Sequence, residues 1–170
     1  MLSCILALLL SQNLEGKVVS ILDGDTIEIL DDKHFTHRIR LAEIDAPEKS
    51  QAFGNQAKAV LSNKVFFKNV TINSKGTDRY GRTLGVVMFG ERNINMEMVE
   101  EGYAWWYKQY SHDPRYGTAQ NNARLSKKGL WVDPYAVAPW DFRHTPKSTS
   151  NKSNSSKPKS SGSSSSKRKK

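Results

Sequence analysis

Lys17-Val18-Val19-Ser20-Ile21-Leu22-Asp23-Gly24-Asp25-Thr26-Ile27-Glu28-Ile29-Leu30 is the stretch whose reading decides the fold. Its first six residues are largely apolar and β-branched, the composition of a half-buried strand. Asp23-Gly24 is a strong tight-turn dipeptide. Thr26 to Leu30 then alternates as a strand with one buried face does. A β-hairpin follows. Asp31-Asp32-Lys33 makes the next turn, and residues 36–44 supply a third strand with Ile39, Leu41 and Ile44 as its apolar members. Three consecutive strands joined by short turns form a meander.

Outward from the meander, Pro47 stops the run, and a first helix is expected from near Gly54, with Ala57, Val60 and Leu61 at helical spacing. Val70-Thr71-Ile72 and residues 83–89 read as two more strands. Asn93 is a good N-cap for a second helix that turns Ile94, Met98 and Val99 inward and ends at Gly102. A third helix is expected over residues 114–128, with Tyr116, Ala119 and Ala123 on one face and Gly129 as its stop. Residues 130–140 read as an irregular, aromatic-rich flap, to whose packing or the core's Trp105, Trp106, Trp131 and Trp140 belong. The expected fold is α+β: a five-stranded, partly closed OB-type β-barrel with three α-helices.

The chain has 170 residues and a net charge of +9, which suggests nucleic-acid binding until its distribution is read. Eight Lys or Arg lie in residues 144–170 with no acid among them; taking those from the 26 basic residues leaves 18 against 17 acids, so residues 1–143 carry only +1. Charge alone therefore says nothing about what the folded part binds. Residues 144–170 are Ser, Lys, Thr, Asn, Pro and Gly with little to bury, a composition expected to stay disordered. Such a tail either holds polyanions or an anionic cell surface loosely, or is solubilising only. Cys4 is the single cysteine, which excludes an intrachain disulfide and a Cys-based zinc site. Residues 1–10 are apolar but too few to span a bilayer. The stretch resembles the apolar core of a signal peptide, yet no Lys or Arg precedes it and no clear cleavage site follows; an apolar N-terminal arm is the alternative. The expected organisation is residues 1–15 as an apolar N-terminal segment serving as a signal peptide, 16–143 as one domain and 144–170 as the disordered basic tail, in a monomer without a transmembrane span, secreted or periplasmic, with cell-surface attachment as an alternative.

Three segments carry candidate chemistry: Asp23-Gly24-Asp25-Thr26, the run from Arg40 through Asp45-Ala46-Pro47-Glu48, and Asp78-Arg79-Tyr80-Gly81-Arg82. Phosphodiester hydrolysis loads negative charge onto the non-bridging phosphate oxygens, which planar guanidiniums meet with paired hydrogen bonds. A hard divalent cation adds charge and takes oxygen ligands. Attacking water must be placed and deprotonated, which suits a carboxylate. Each residue alone is compatible with a structural role: a hairpin turn, a strand exit, an ion pair of Arg40 with Glu43, a surface arginine. Strand alternation even puts Arg40 and Asp45 on opposite faces unless the chain bends before Asp45. It is their joint occurrence, in this order, that favours a site.

The set resembles the staphylococcal nuclease family, the thermonucleases or micrococcal nucleases, over residues 16–143. The match rests on Asp-Gly-Asp-Thr, Arg-x4-Asp-x-Pro-Glu, Asp-Arg-Tyr-Gly-Arg, the region from Asn95 through Met98-Val99 to Gly102, and Gly129-Leu130-Trp131. The resemblance implies an OB-fold barrel with three helices and a Ca²⁺-dependent endonuclease acting on DNA and RNA to leave 3′-phosphate ends. It implies Asp25, Asp45 and the carbonyl of Ala46 as metal ligands, Ala46 standing where the family usually has Thr. It implies Glu48 as the base or orienter of the attacking water, and Arg40 and Arg82 as phosphate-binding arginines. Tyr80 is similar to a family tyrosine near the nucleotide, and Tyr107 and Tyr110 are candidates for stacking bases. The loop at residues 49–53 is shorter than in the best-known member of that family, so no substrate-binding lysine is carried over. A binding-only adaptor of this fold is the competing class; adaptors usually lack some of these carboxylates or arginines, and all five side chains are present here.

Overall fold

The opening hairpin forms in register. In the computed structural model, which describes residues 13–145, β1 (Leu14–Ile21) pairs antiparallel with β2 (Thr26–Leu30), Val18 facing Ile29 and Ile21 facing Ile27. The register shifts between Val18 and Ser20, a bulge that twists the strand and helps the sheet curl. The link between the strands is longer than a two-residue turn: residues 22–25 lie outside both strands, and Leu22 N donates to the Thr26 carbonyl at 2.9 Å. Gly24 is required there by close approach: a Cβ on it would come within 2.7 Å of the Cβ atoms of both Ala46 and Ala57.

The next strand differs from expectation. β3 (Thr36–Leu41) pairs with β2 and stops at Leu41. The chain then turns through Ala42 and Glu43, where Glu43 adopts a left-handed φ of 68°. The two-residue β4 (Ile44–Asp45) leaves the barrel. The expected single strand over residues 36–44 is thus broken by one residue in a conformation that ends strand geometry.

α1 (Gly54–Val65) buries Gly54, Ala57, Leu61 and Val65, an inward stripe at helical spacing. β5 (Asn69–Thr77) runs well beyond the expected three residues, kinked by a register shift between Ser74 and Gly76. β6 (Thr83–Phe89) pairs antiparallel with β5 and parallel with β3, Arg40 opposite Leu84, which closes a five-stranded mixed barrel in the order β3-β2-β1-β5-β6. The short β7 (Arg92–Asn93) turns back on β6 and leads into α2 (Ile94–Glu100), where the Asn93 side chain caps Met96 N as expected. β8 (Trp105–Trp106) pairs with β4, Asp45 opposite Trp105. α3 (Pro114–Leu125) buries Tyr116, Ala119 and Ala123 but ends three residues before the expected Lys128, because Lys127 takes a left-handed φ of 50°. The expected flap is more ordered than read: a 3₁₀ turn at Gly129–Val132 is followed by a fourth, six-residue helix, α4 (Pro139–His144).

The main core joins the barrel interior (Val18, Ile27, Ile29, Ile39, Leu41, Ile72, Val87) to α1 and α2 through Leu61, Ile94 and Met98. A smaller cluster holds Trp105, Leu130 and Trp131, with Trp140 packed on it. Trp105 meets Trp131 edge-on at a centroid distance of 4.4 Å, and Arg124 lies 4.1 Å over the Trp131 ring. The four tryptophans pack as the sequence suggests. Among the described residues no helix is long and apolar enough to cross a membrane. The apolar stretch 1–10 and the tail from residue 146 onward lie outside the described residues.

Glu97 ties α2 to α1 and β7. Arg92 donates to it at 2.6 and 2.7 Å and Lys64 at 2.8 Å. Arg92's hydrogen bonds, helped by Lys64, pull the Glu97 carboxyl down from 4.5 to about 2. A depressed carboxyl contributes stability that is present above its unfolded pKa and lost as pH falls toward the folded value. The unfolding temperature is therefore expected to drop as pH falls from about 4.5 to about 2, and Glu97→Gln should blunt that drop. An unchanged acid limb in the variant would show that other groups set it.

Candidate active site

Five carboxylate and guanidinium groups meet where β2, β3 and β4 converge beside the start of α1. Asp25 sits at the mouth of the hairpin, its Oδ2 accepting from Ala46 N at 2.6 Å and its Oδ1 from the Thr26 hydroxyl at 3.2 Å. Arg40, near the end of β3, points its guanidinium at the turn that follows. Nη1 donates to the carbonyls of Leu41 at 2.7 Å and Ile44 at 2.9 Å, closing that turn. Nη2 reaches Asp45 Oδ1 at 2.8 Å and Asp25 Oδ2 at 3.1 Å. The bend at Glu43 is what brings Asp45 back to Arg40, resolving the opposition that an ideal strand would impose.

Glu48 follows on the loop after β4, its backbone N–H bonded to the Gln51 side chain at 3.1 Å. Arg143, in the last turn of α4, bridges it to the cluster: Nη1 donates to Glu48 Oε1 and Nη2 to Asp45 Oδ2, both at 2.8 Å. Sequence reasoning missed Arg143. Its contacts span 95 and 98 residues, and neither periodicity nor motif spacing points to an arginine at the edge of a low-complexity tail. Pro139, a good first residue for a helix, was the one local sign that α4 existed.

Arg82 makes no contact with this cluster among the described residues. Its Nε donates to Asp78 at 2.7 Å, and Asp78 also accepts from Tyr80 N and Arg82 N, so the Asp-Arg-Tyr-Gly-Arg segment folds around its own aspartate. Arg82, Tyr80 and Gly81 line an open groove of about 490 Å³ with Glu28, Thr36 and Arg38 of the neighbouring strands. Tyr80 is 69% exposed, with Arg79 and Arg82 guanidiniums at 4.8 and 5.6 Å from its ring centre. Tyr107 is already stacked: its ring lies parallel to Trp140 at 5.3 Å and tilted against Tyr110 at 4.7 Å.

The electrostatics of the cluster are those of a site with too little positive charge. Asp25, Asp45 and Glu48 face two guanidiniums, Arg40 and Arg143. Burial pushes the Asp25 carboxyl from 3.8 to about 7; Arg40 opposes that shift, while Asp23 and Asp45 add to it. Among the described residues no three His, Cys, Asp or Glu form a ready metal cage. The donors at hand are the carboxylate oxygens of Asp25 and Asp45, both paired with Arg40 in this arrangement. That set fits a hard cation that keeps several waters, and the surplus negative charge favours one.

A closed OB-type barrel with acidic and guanidinium groups at one strand end carries the kinds of side chain that phosphodiester hydrolysis uses. The comparisons agree: the chain belongs to the staphylococcal nuclease homologue family, which matches over residues 38–133. It is 53% identical over 131 residues to a Haemophilus influenzae protein named "Uncharacterized endonuclease", covering 77% of this chain and 74% of the relative. It is 45% identical over 147 residues to the "Micrococcal nuclease" of Shigella flexneri, covering 80% and 84%. An Escherichia coli relative, "Protein ParB", is 46% identical over 141 residues, covering 76% and 79%.

Proposed function

We propose that the chain is a calcium-dependent endonuclease that cleaves both DNA and RNA and leaves 3′-phosphate ends. The observation that carries this reading is the convergence of Asp25, Asp45 and Arg40, with Glu48 held beside them, in a cluster whose negative charge exceeds its positive charge. Asp25, Asp45 and the Ala46 carbonyl would hold the ion. When bound, it supplies positive charge at the non-bridging phosphate oxygens. Glu48, the most solvent-open of the three carboxylates, takes a proton from the attacking water. The new bond joins the water oxygen to phosphorus, the bond to the 5′-oxygen breaks, and the phosphate stays on the 3′ side. Arg40 and Arg82 meet the extra charge on phosphorus oxygens, Arg82 exchanging Asp78 for phosphate. Tyr80, exposed between two arginines, offers a stacking face for a base, and Tyr107, whose one face lies on Trp140, is the second candidate. The apolar run at residues 1–10 supports action outside the cytoplasm.

Incubation of plasmid DNA and of RNA with calcium, and with chelator in its place, tests this reading. Calcium-dependent cleavage and 3′-phosphorylated products are expected; cleavage that survives chelator, or 5′-phosphate ends, would overturn it. Arg82→Ala should lose about 3–4 kcal/mol of transition-state stabilisation, a fall of several hundred-fold in kcat. Wild-type turnover would remove Arg82 from the mechanism.

A further inference from the structure

We propose that Arg143 is a third arginine of the active site: a positioning residue that sets the Glu48 carboxylate against Asp45. The inference rests on the roles given above to Asp45 and Glu48. Asp45 is an anchored group, 2% exposed, with Arg40 on one oxygen and Arg143 on the other. Glu48 is not anchored by burial; its side chain is 39% exposed, and among the described residues its carboxylate accepts a hydrogen bond from Arg143 alone. A glutamate on a loop has several rotamers of similar energy, and fixing one costs on the order of 1–2 kcal/mol. The guanidinium is a rigid plane with its two terminal nitrogens side by side. Nη1 on Glu48 and Nη2 on Asp45 therefore make the two carboxylates close neighbours and limit Glu48 to the rotamers that face the cluster.

Arg143 is itself held. Pro139 starts α4, Trp140 stacks on Tyr107 with an interplanar angle of 6° and meets Trp105 edge-on at 5.6 Å, and Gln51 donates to the Val137 carbonyl just ahead of the helix. Gln51 also accepts from Glu48 N, so one loop and one helix are tied together at both backbone and side chain. A half-exposed ion pair contributes little stability by itself. The bridge is better suited to geometry: displacing a reacting group by about 1 Å costs on the order of 100-fold in rate.

A mutant cycle tests this. Wild type, Arg143→Gln, Glu48→Gln and the double variant are compared in steady-state cleavage of DNA with calcium. Arg143→Gln should lower kcat about 100-fold with KM within about twofold. Arg143→Lys should fall between, since an ammonium is a point charge without the two-pronged plane. In the Glu48→Gln background, adding Arg143→Gln should cost less than about threefold, because its effect passes through Glu48. A second readout needs no catalysis: in calcium-free protein, the Glu48 side-chain carboxyl carbon signal in NMR should move in Arg143→Gln as the carboxylate is freed to average over rotamers. Full losses that multiply in both backgrounds, a raised KM with unchanged kcat, or an unmoved Glu48 signal in Arg143→Gln would each overturn the inference. Glu48→Gln with wild-type turnover would instead remove the Glu48 assignment, and the inference with it.

Discussion

Arg40→Met is expected to lower the stability of the calcium-free protein by about 3–5 kcal/mol and to abolish measurable turnover. The side chain is 12% exposed and satisfies four acceptors: the carbonyls of Leu41 and Ile44 and the carboxylates of Asp25 and Asp45. Methionine keeps much of the volume and removes every donor. Two buried carboxylates are then left facing each other with less countercharge, and the turn that carries Asp45 loses its two closing hydrogen bonds. The pH dependence follows from Asp25, whose carboxyl burial raises from 3.8 to about 7. A raised carboxyl contributes stability that is complete below its unfolded pKa and lost as pH rises through the folded one. In wild type Arg40 opposes that loss; without it the deficit should be larger at pH 8 than at pH 5. Urea unfolding at the two pH values measures this. Equal midpoints for variant and wild type would mean that Arg40 does not offset the buried carboxylates.

Asn95→Ala is expected to cost about 4 kcal/mol, from the loss of three buried hydrogen bonds and the stranding of their partners. Asn95 is fully buried; its Oδ1 accepts from Val87 N at 3.0 Å, and its Nδ2 donates to the carbonyls of Ala42 at 2.9 Å and Gly85 at 3.1 Å. Those contacts fasten the first residue after β3 to β6 and to α2. Ala42 is also the entry to the turn that delivers Asp45, so turnover should fall together with stability. Denaturant unfolding and DNA cleavage assayed with calcium on the same sample check both effects. A cost below about 1 kcal/mol would show that water replaces the amide, and wild-type turnover would separate this network from the site.

Much of the barrel was legible because its signals are local. Residues 17–22 are β-branched and apolar, residues 26–30 alternate as a strand with one buried face does, and Asn93 carries the side chain that a helix start uses. Gly24 was legible as a necessary glycine, but for a different reason. It reads as a turn residue, whereas its hydrogen atom faces two alanine methyl groups from β4's exit and α1. The break in residues 36–44 was hidden because Ile39, Leu41 and Ile44 are all buried, as they would also be without a break. Only a left-handed backbone at Glu43, an unusual residue for it, marks the bend.

The candidate site divides the same way. Asp25, Arg40, Asp45, Glu48 and Arg82 were named by segments short enough to read along the chain, and so was the chemistry their side chains can perform. Which of them touch was decided by tertiary structure alone. Arg40 reaches Asp45 because the chain reverses at Glu43, Arg82 turns to Asp78, and Arg143 enters from a helix nearly a hundred residues away because aromatic packing docks that helix there. Residue type and local periodicity are properties of neighbours in sequence; the pairing of charges is a property of neighbours in space, and for that the whole chain has to be folded.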